Sequence, residues 1–252
     1  RPSPESGGHM ARLAVALAFA STVLTSADVR YRDTAAPFPI AYTQYICADE
    51  NCLDGFTYVV TPDVATAGPA DAWPTWSPDG SHVTFTRNGD VVVMDATAGT
   101  VVNLTNSASM DWFPSWSPDG QRIAFESNRD GPFALYLMDP DGSDVARLTT
   151  NTGIGIGRPT WSPDSRRLAF PCRVEGSNED ICAIDADGSD LVRLTNDPAR
   201  DIDPAWSPDG STIAFTSGRW FGGLRLAFMQ PDGSGVAFVG SGVFAMAPAW
   251  SP

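Results

Sequence analysis

The phrase Trp-Ser-Pro recurs through this chain at nearly even intervals, and that repeat limits the fold more than any other feature. It begins at Trp76, Trp116, Trp161, Trp206 and Trp250, with spacings of 40, 45, 45 and 44 residues. A period of this length, with several short apolar runs in each unit, is the signature of propeller blades. One unit, "PSWSPDGQRIAFESNRDGPFALYLMDPDGSDVARLT" from Pro114 to Thr149, reads as four strands. A first strand carries Trp116, and "SPDG" makes a tight turn in which Pro118 presets φ and Gly120 takes the left-handed conformation. "RIAFES", "ALYLMD" and "VARLT" follow as strands, with the loop "NRDGP" and the turn "PDGSD" between them. The chain holds 23 Gly and 21 Pro spread along its length, which suits many short elements joined by turns.

A single such meander cannot bury both of its faces, so its apolar residues must pack against neighbouring units. Trp76, Trp116, Trp161, Trp206 and Trp250 stand at one register of the innermost strand and are expected to pack between blades. The first unit starts at its second strand, "PIAYTQY" from Pro39, and the last five residues, "PAWSP", are a first strand without a second. The expected fold is all-β: a five-bladed β-propeller of four-stranded antiparallel blades over 38–252, its ring closed by pairing of the N- and C-terminal strands.

The pattern "PxWSPDGxxIAF…YxMDxDGSxxxRLT" resembles the repeat of TolB-like β-propellers, which also occurs in propellers attached to prolyl-oligopeptidase-type enzymes. The resemblance runs from about Phe38 to Pro252 and specifies a fold far more than a function. It is to the repeat and not to full-length TolB, whose additional N-terminal domain is not expected here. The fourth unit departs from the pattern, with Ser165 where the turn glycine belongs, and a left-handed serine there costs about 1 kcal/mol.

Ahead of the repeats, "MARLAVALAFASTVLTSADV" has one Arg, an apolar run from Leu13 to Leu24, and small residues up to Ala27. Residues 1–27 read as a leader of the secretory kind, too short to span a bilayer, and 28–37 as a linker. The expected location is periplasmic or extracellular, with no integral membrane span once the leader is removed. Cys47 and Cys52 are five apart and Cys172 and Cys182 ten apart, and neither pair has a histidine nearby. Two short-loop disulfides are the expectation, with reduced buried thiols as the alternative.

In a four-stranded meander the "SPDG" and "PDGSD" turns emerge on one face and the longer connections on the other. The connections are the variable part: "ICADENC", "RNGD", "NRDGP", "CRVEGSNEDIC" and "SGRWFGG". Loops of this kind on a rigid scaffold are where binding is usually found. The candidate binding residues there are Trp73, Trp112, Phe113, Arg129, Trp220 and Phe221, with packing between blades as the alternative for the rings. Three units place an Asp three residues before the strand-opening Pro: Asp71, Asp111 and Asp201. Carboxylates converging on a channel mouth repel unless they share a cation, a proton or donors. A channel Ca2+ or Mg2+ ion is one expectation, and capping of backbone N–H groups is the other.

The formal charge of −14 argues against nucleic acid and anionic membrane, which need a basic footprint, and suits cationic partners. There is no "GxSxG" elbow, no Walker-type loop, and the only histidines are His9 and His82. The glycines of "NTGIGIGRP" fall in a connection and not between strand and helix, so they do not read as a dinucleotide site. The acidic turns at Asp139 and Asp185 lack the ligand series of an EF-hand and read as turns. The function expected is an exported, non-catalytic binding or scaffolding module that takes a protein or peptide partner on the loop face, with a monomer favoured. The alternative is a glycosidase-like propeller using Asp71, Asp111 and Asp201 as acids, with Trp73 or Trp112 as a sugar platform.

Overall fold

The structure, a computed structural model, describes residues 40–45, 55–60, 65–69, 71–149, 157–173, 178–220 and 223–239, together with Pro248 and Trp250. The side chains of the first three strands, of Asp71 and of Trp220 lie outside that description. So do the expected leader, the linker, the Cys47–Cys52 pair and Phe221.

Among the described residues every regular element is a strand. β1 (Ile40–Tyr45), β2 (Gly55–Val60) and β3 (Ala65–Pro69) form a three-stranded first sheet. The second sheet is β4 (Asp71–Trp76), β5 (His82–Arg87), β6 (Asp90–Asp95) and β7 (Val101–Asn103). The third is β8 (Asp111–Trp116), β9 (Ile123–Ser127), β10 (Ala134–Met138) and β11 (Ala146–Arg147). The fourth is β12 (Thr160–Trp161), β13 (Arg167–Arg173), β14 (Glu179–Asp185) and β15 (Val192–Arg193). The fifth is β16 (Asp201–Trp206), β17 (Ile213–Trp220), β18 (Gly223–Met229) and β19 (Ala237–Phe238). Within each sheet the strands lie in chain order and all pairs are antiparallel. The fourth strands are shorter than the sequence suggests, since "VARLT" contributes only Ala146 and Arg147 to pairing.

The middle strands of the third and fourth sheets are buried on both faces because consecutive sheets pack against them. Every residue of β9 and β10 is buried. One cluster joins Ile123, Phe125 and Tyr136 of the third sheet to Trp161, Leu168 and Phe170 of the fourth. A second joins Ala169 and Ala183 of the fourth sheet to Trp206, Ile213 and Phe215 of the fifth. Full burial of a ring such as Phe125 or Phe215 contributes about 2–3 kcal/mol, so these interfaces hold the sheets in sequence. The repeat tryptophans sit in these seams: Trp161 and Trp206 are buried, while Trp76 and Trp116 are partly buried against the clusters. The indole N–H of Trp161 donates to the carbonyl of Ser115 in the preceding sheet at 3.0 Å.

The "SPDG" turns are held by one hydrogen-bond set repeated four times. In the second sheet Gly80 N–H donates to the Ser77 carbonyl at 2.9 Å, and the Ser77 hydroxyl donates to Asp79 Oδ1 at 2.6 Å. Ser117–Asp119, Ser162–Asp164 and Ser207–Asp209 repeat the serine–aspartate bond at 2.6 Å. The glycines have φ near 70°, and Ser165 takes the same turn with φ 61°. In the second type of turn Gly142 has a further reason to be glycine: a Cβ there would stand 2.7 Å from the Leu104 carbonyl oxygen of the preceding sheet.

Only one of the two expected disulfides falls among described residues. Cys172 and Cys182 are bonded to each other, and both are buried. The bridge ties together the two strands that flank a loop-face connection. It staples β13 to β14, where Cys172 pairs with Asp180 and Cys182 with Phe170.

Candidate functional site

The first strand of three sheets is not regular. Pairing shifts between Ala72 and Thr75, between Trp112 and Ser115, and between Ile202 and Ala205. In each case the inner strand carries one extra residue, a β-bulge. At its centre Trp73, Phe113 and Asp203 have φ of 57°, 55° and 51°, each immediately before a proline. Bulky residues seldom take this conformation, and it costs about 1–3 kcal/mol at each position. The bulge accounts for the pattern Asp-Trp-Phe-Pro-Ser-Trp: without it, Asp111 and Trp116 would fall on opposite faces of the strand.

The bulges bring the expected aromatic residues of two sheets into one group. Trp73 and Phe113 lie 4.2 Å apart between ring centroids, Trp73 and Trp112 6.2 Å, and Trp112 and Phe113 6.3 Å. Phe133, which the sequence did not single out, stacks on Trp112 at 5.1 Å. Its place in "NRDGPF", directly after the variable loop, is the signal that would have found it. These rings belong to strand ends more than to loops. Phe113 is buried, whereas Trp73, Trp112 and Phe133 are half-buried, and Met110 beside them is 48% exposed.

The aspartates are placed below that surface and do not stand free. Asp111 is fully buried and accepts a hydrogen bond from Arg129 Nη2 at 3.1 Å. Arg129 also donates Nε to the Ser127 hydroxyl at 3.0 Å, and its guanidinium lies over the rings of Phe125 and Tyr136. Asp201 is likewise buried and accepts from Arg219 Nη2 at 2.5 Å. Arg129 is therefore part of the support of the site and less a contact on its surface. The guanidiniums supply the positive charge that converging carboxylates need, although Oδ1 of both Asp111 and Asp201 is buried without a hydrogen-bond partner. Among the described residues, no three His, Cys, Asp or Glu side chains are grouped to hold a metal ion. Asp71 stands opposite Arg87 in the strand register, with its side chain outside the described residues.

A further carboxyl was not anticipated. Glu126 is fully buried in β9, opposite Trp112, and Oε1 accepts the backbone N–H of Gly157 from the fourth sheet at 3.1 Å. Oε2 has no partner. Burial pushes this carboxyl up to about 8, opposed by the Gly157 N–H and helped by a smaller push from the nearby Glu179 carboxylate. Glu126 is therefore mostly protonated at pH 7.

Charged side chains stand on both faces. The turn face carries Asp79, Asp119, Asp164 and Asp209, each held below the ordinary carboxylate range, with Asp79 and Asp209 at about 2. For Asp79, Asp164 and Asp209 the hydroxyl of the turn's first serine is the largest cause; at Asp119 burial opposes the larger sum of such bonds. Arg87, Arg173 and Arg219 stand at the opposite, loop-face ends of β5, β13 and β17, and Arg129, Arg158 and Arg200 in the connections there, together with the acids Asp90, Glu179 and Asp197.

The sequence matches the TolB beta propeller domain family over residues 59–157 and 151–252. A comparison with curated proteins gives no match. Among solved structures, a putative TolB from Agrobacterium tumefaciens is similar at 25% identity, over 74% of this chain and 66% of that one, with a TM-score of 0.63. TolB from Acinetobacter baumannii is 22% identical over 73% of this chain and 48% of that one, with a TM-score of 0.59. An oligogalacturonate lyase in complex with manganese is 14% identical over 73% of this chain and 60% of that one, with a TM-score of 0.57. The last two likenesses concern the fold alone, and the chain spans less than two thirds of the length of these proteins. With the repeat, the antiparallel four-stranded sheets and the family match in agreement, this chain belongs to the TolB beta propeller domain family.

Proposed function

We propose that this protein is a non-catalytic binding module whose loop face takes a protein or peptide partner. The observation that carries this reading is the half-buried aromatic group of Trp73, Trp112 and Phe133, seated on buried Phe113 and flanked by exposed Met110. Large, rigid, partly exposed rings over a fixed base are typical anchors of interfaces. The glycosidase-like alternative is less well supported, because Asp111 and Asp201 are each committed to an arginine and are poorly placed to exchange protons.

We infer that five blades close into a ring, with the strand at Trp250 completing the first sheet. In support, the Trp250 indole N–H donates to the Ala205 carbonyl at 3.0 Å, as Trp161 does to Ser115. Trp250 thus meets the fifth sheet as an inner-strand tryptophan of the next blade would. We also read the protein as exported. The leader-like apolar run and the Cys172–Cys182 bridge suit an oxidising compartment, and no helix among the described residues is long and apolar enough to cross a membrane.

The binding reading is tested by selecting peptides from a displayed random library on immobilised protein. Enriched peptides should lose at least tenfold in affinity for Trp112→Ala and Phe133→Ala. Enrichment that is unchanged by both substitutions would place the partner surface elsewhere.

A further inference from the structure

We propose that Glu126 is a proton-controlled latch between the third and fourth sheets that sets the position of Arg158 at the mouth of the loop face. The latch begins with a difference between equivalent positions. In the second, fourth and fifth sheets the residue at the register of Glu126 is Thr86, Pro171 or Thr216, none of which ionises. In the third sheet it is a long carboxylic acid that crosses the seam to the Gly157 N–H. The approach admits only glycine, since a Cβ at Gly157 would stand 2.5 Å from Pro171 Cγ. The next residue, Arg158, donates Nη2 to the Pro74 carbonyl of the second sheet at 3.4 Å, beside Trp73. One hydrogen bond from Gly157 to Glu126 therefore fixes the backbone from which an arginine reaches over to the aromatic group.

The charges around Glu126 favour its neutral form. Its register partners Trp112 and Leu135 bring no charge. Asp111 and Arg129 at the end of the same sheet are paired with each other. From the fourth sheet comes Glu179, 8% exposed, which is bound by Arg200 and lies 3.6 Å from Arg173. Arg158, beyond Gly157, is turned to Pro74. Among the described residues, no cation reaches Glu126 by a hydrogen bond or ion pair, and one of its oxygens is unpartnered. A protonated carboxyl fits this place. An ionised one is a buried charge near a second carboxylate and requires water that the closed seam excludes. Raising the pH from the ordinary glutamate range up to the titration of Glu126 therefore weakens the seam and loosens its hold on Gly157 and Arg158. An effect on partner binding rests on the loop-face reading above, whereas the latch itself does not.

The test uses the whole chain with its disulfide intact. Carbon-13 carboxyl shifts are followed by NMR from pH 4 to 10, and amide exchange at Gly157 is compared with Glu126→Gln and Glu126→Thr, after correction for the intrinsic pH dependence. Gln keeps an acceptor for the Gly157 N–H without a charge, and Thr is the residue of the second and fifth sheets. Expected are a Glu126 carboxyl that titrates well above the other glutamates and a Gly157 protection that falls by up to about tenfold per pH unit between the ordinary glutamate range and that point, then levels off. Glu126→Gln should hold its protection over the same range. A carboxyl that titrates in the ordinary range overturns the latch, and so does equal Gly157 protection in the wild type and Glu126→Gln at pH 9. Failure of peptide capture on the aromatic group would leave both readouts unaffected, so the two readings fail separately.

Discussion

The hydroxyl of Ser165 in the fourth sheet accepts the backbone N–H of Asp119 in the third at 3.0 Å. Ser165 is also the one residue that breaks the "SPDG" pattern, and its φ of 61° is that of the glycine it replaces. The left-handed strain is thus offset by a bond between sheets that glycine cannot make. Ser165→Ala keeps the strain and loses the bond, and should cost about 1 kcal/mol. Ser165→Gly loses both and should be nearly neutral. Urea unfolding of the two variants separates these outcomes: no loss for Ser165→Ala would show that the bond contributes nothing, and equal losses would show that the strain costs nothing.

The buried pair of Asp201 and Arg219 predicts an asymmetric response. Arg219→Met leaves a carboxylate fully buried without its cation and should destabilise by about 3–5 kcal/mol. Adding Asp201→Asn to that variant should recover a large part of the loss. If the double variant is no better than the single one by thermal unfolding, the charge is not the cause.

Two turn glycines with similar φ should respond differently to alanine. At Gly80, φ is 70° and the space a Cβ would take is open to 4 Å, so Gly80→Ala carries only backbone strain of about 1–2 kcal/mol. At Gly233, φ is 85° and a Cβ would stand 2.5 Å from the Leu194 carbonyl oxygen, which is backbone and cannot move aside cheaply. Gly233→Ala should therefore show a clearly larger drop in unfolding midpoint than Gly80→Ala.

Asp209 is held at about 2, first by the Ser207 hydroxyl and then by the backbone N–H and hydroxyl of Ser211. A lowered carboxyl contributes stability at pH values above its unfolded value, and that contribution is lost as pH falls through about 2. Asp209→Asn should be less stable than the wild type at pH 6, and the gap should narrow between pH 4 and 2. A gap that is independent of pH would remove the carboxylate from the account.

Trp161→Phe and Trp250→Phe each delete one indole N–H that bonds a carbonyl of the preceding sheet. Both should cost about 1 kcal/mol if the two tryptophans hold equivalent places. A loss for Trp161→Phe alone would argue against ring closure at Trp250.

The repeat at Trp76, Trp116, Trp161 and Trp206 was sufficient to read off all-β sheets, their strand order and both turn types, because turn chemistry and alternation act over a few neighbouring residues. The candidate aromatics and aspartates were legible as residue types, but their roles were not. Whether Asp111 meets a metal, water or an arginine depends on Arg129, which lies 18 residues away in the chain and reaches it only after β8 pairs with β9. The bulge that gathers Trp73, Trp112 and Phe113 is a property of strand pairing, and the protonated state of Glu126 follows from burial beneath another sheet. By itself the sequence determined the local geometry, since hydrogen bonds within a turn need no partner from elsewhere. Only the tertiary structure decided which charges are buried, which are paired and which face carries them, because burial and pairing come from sheets that meet across the fold.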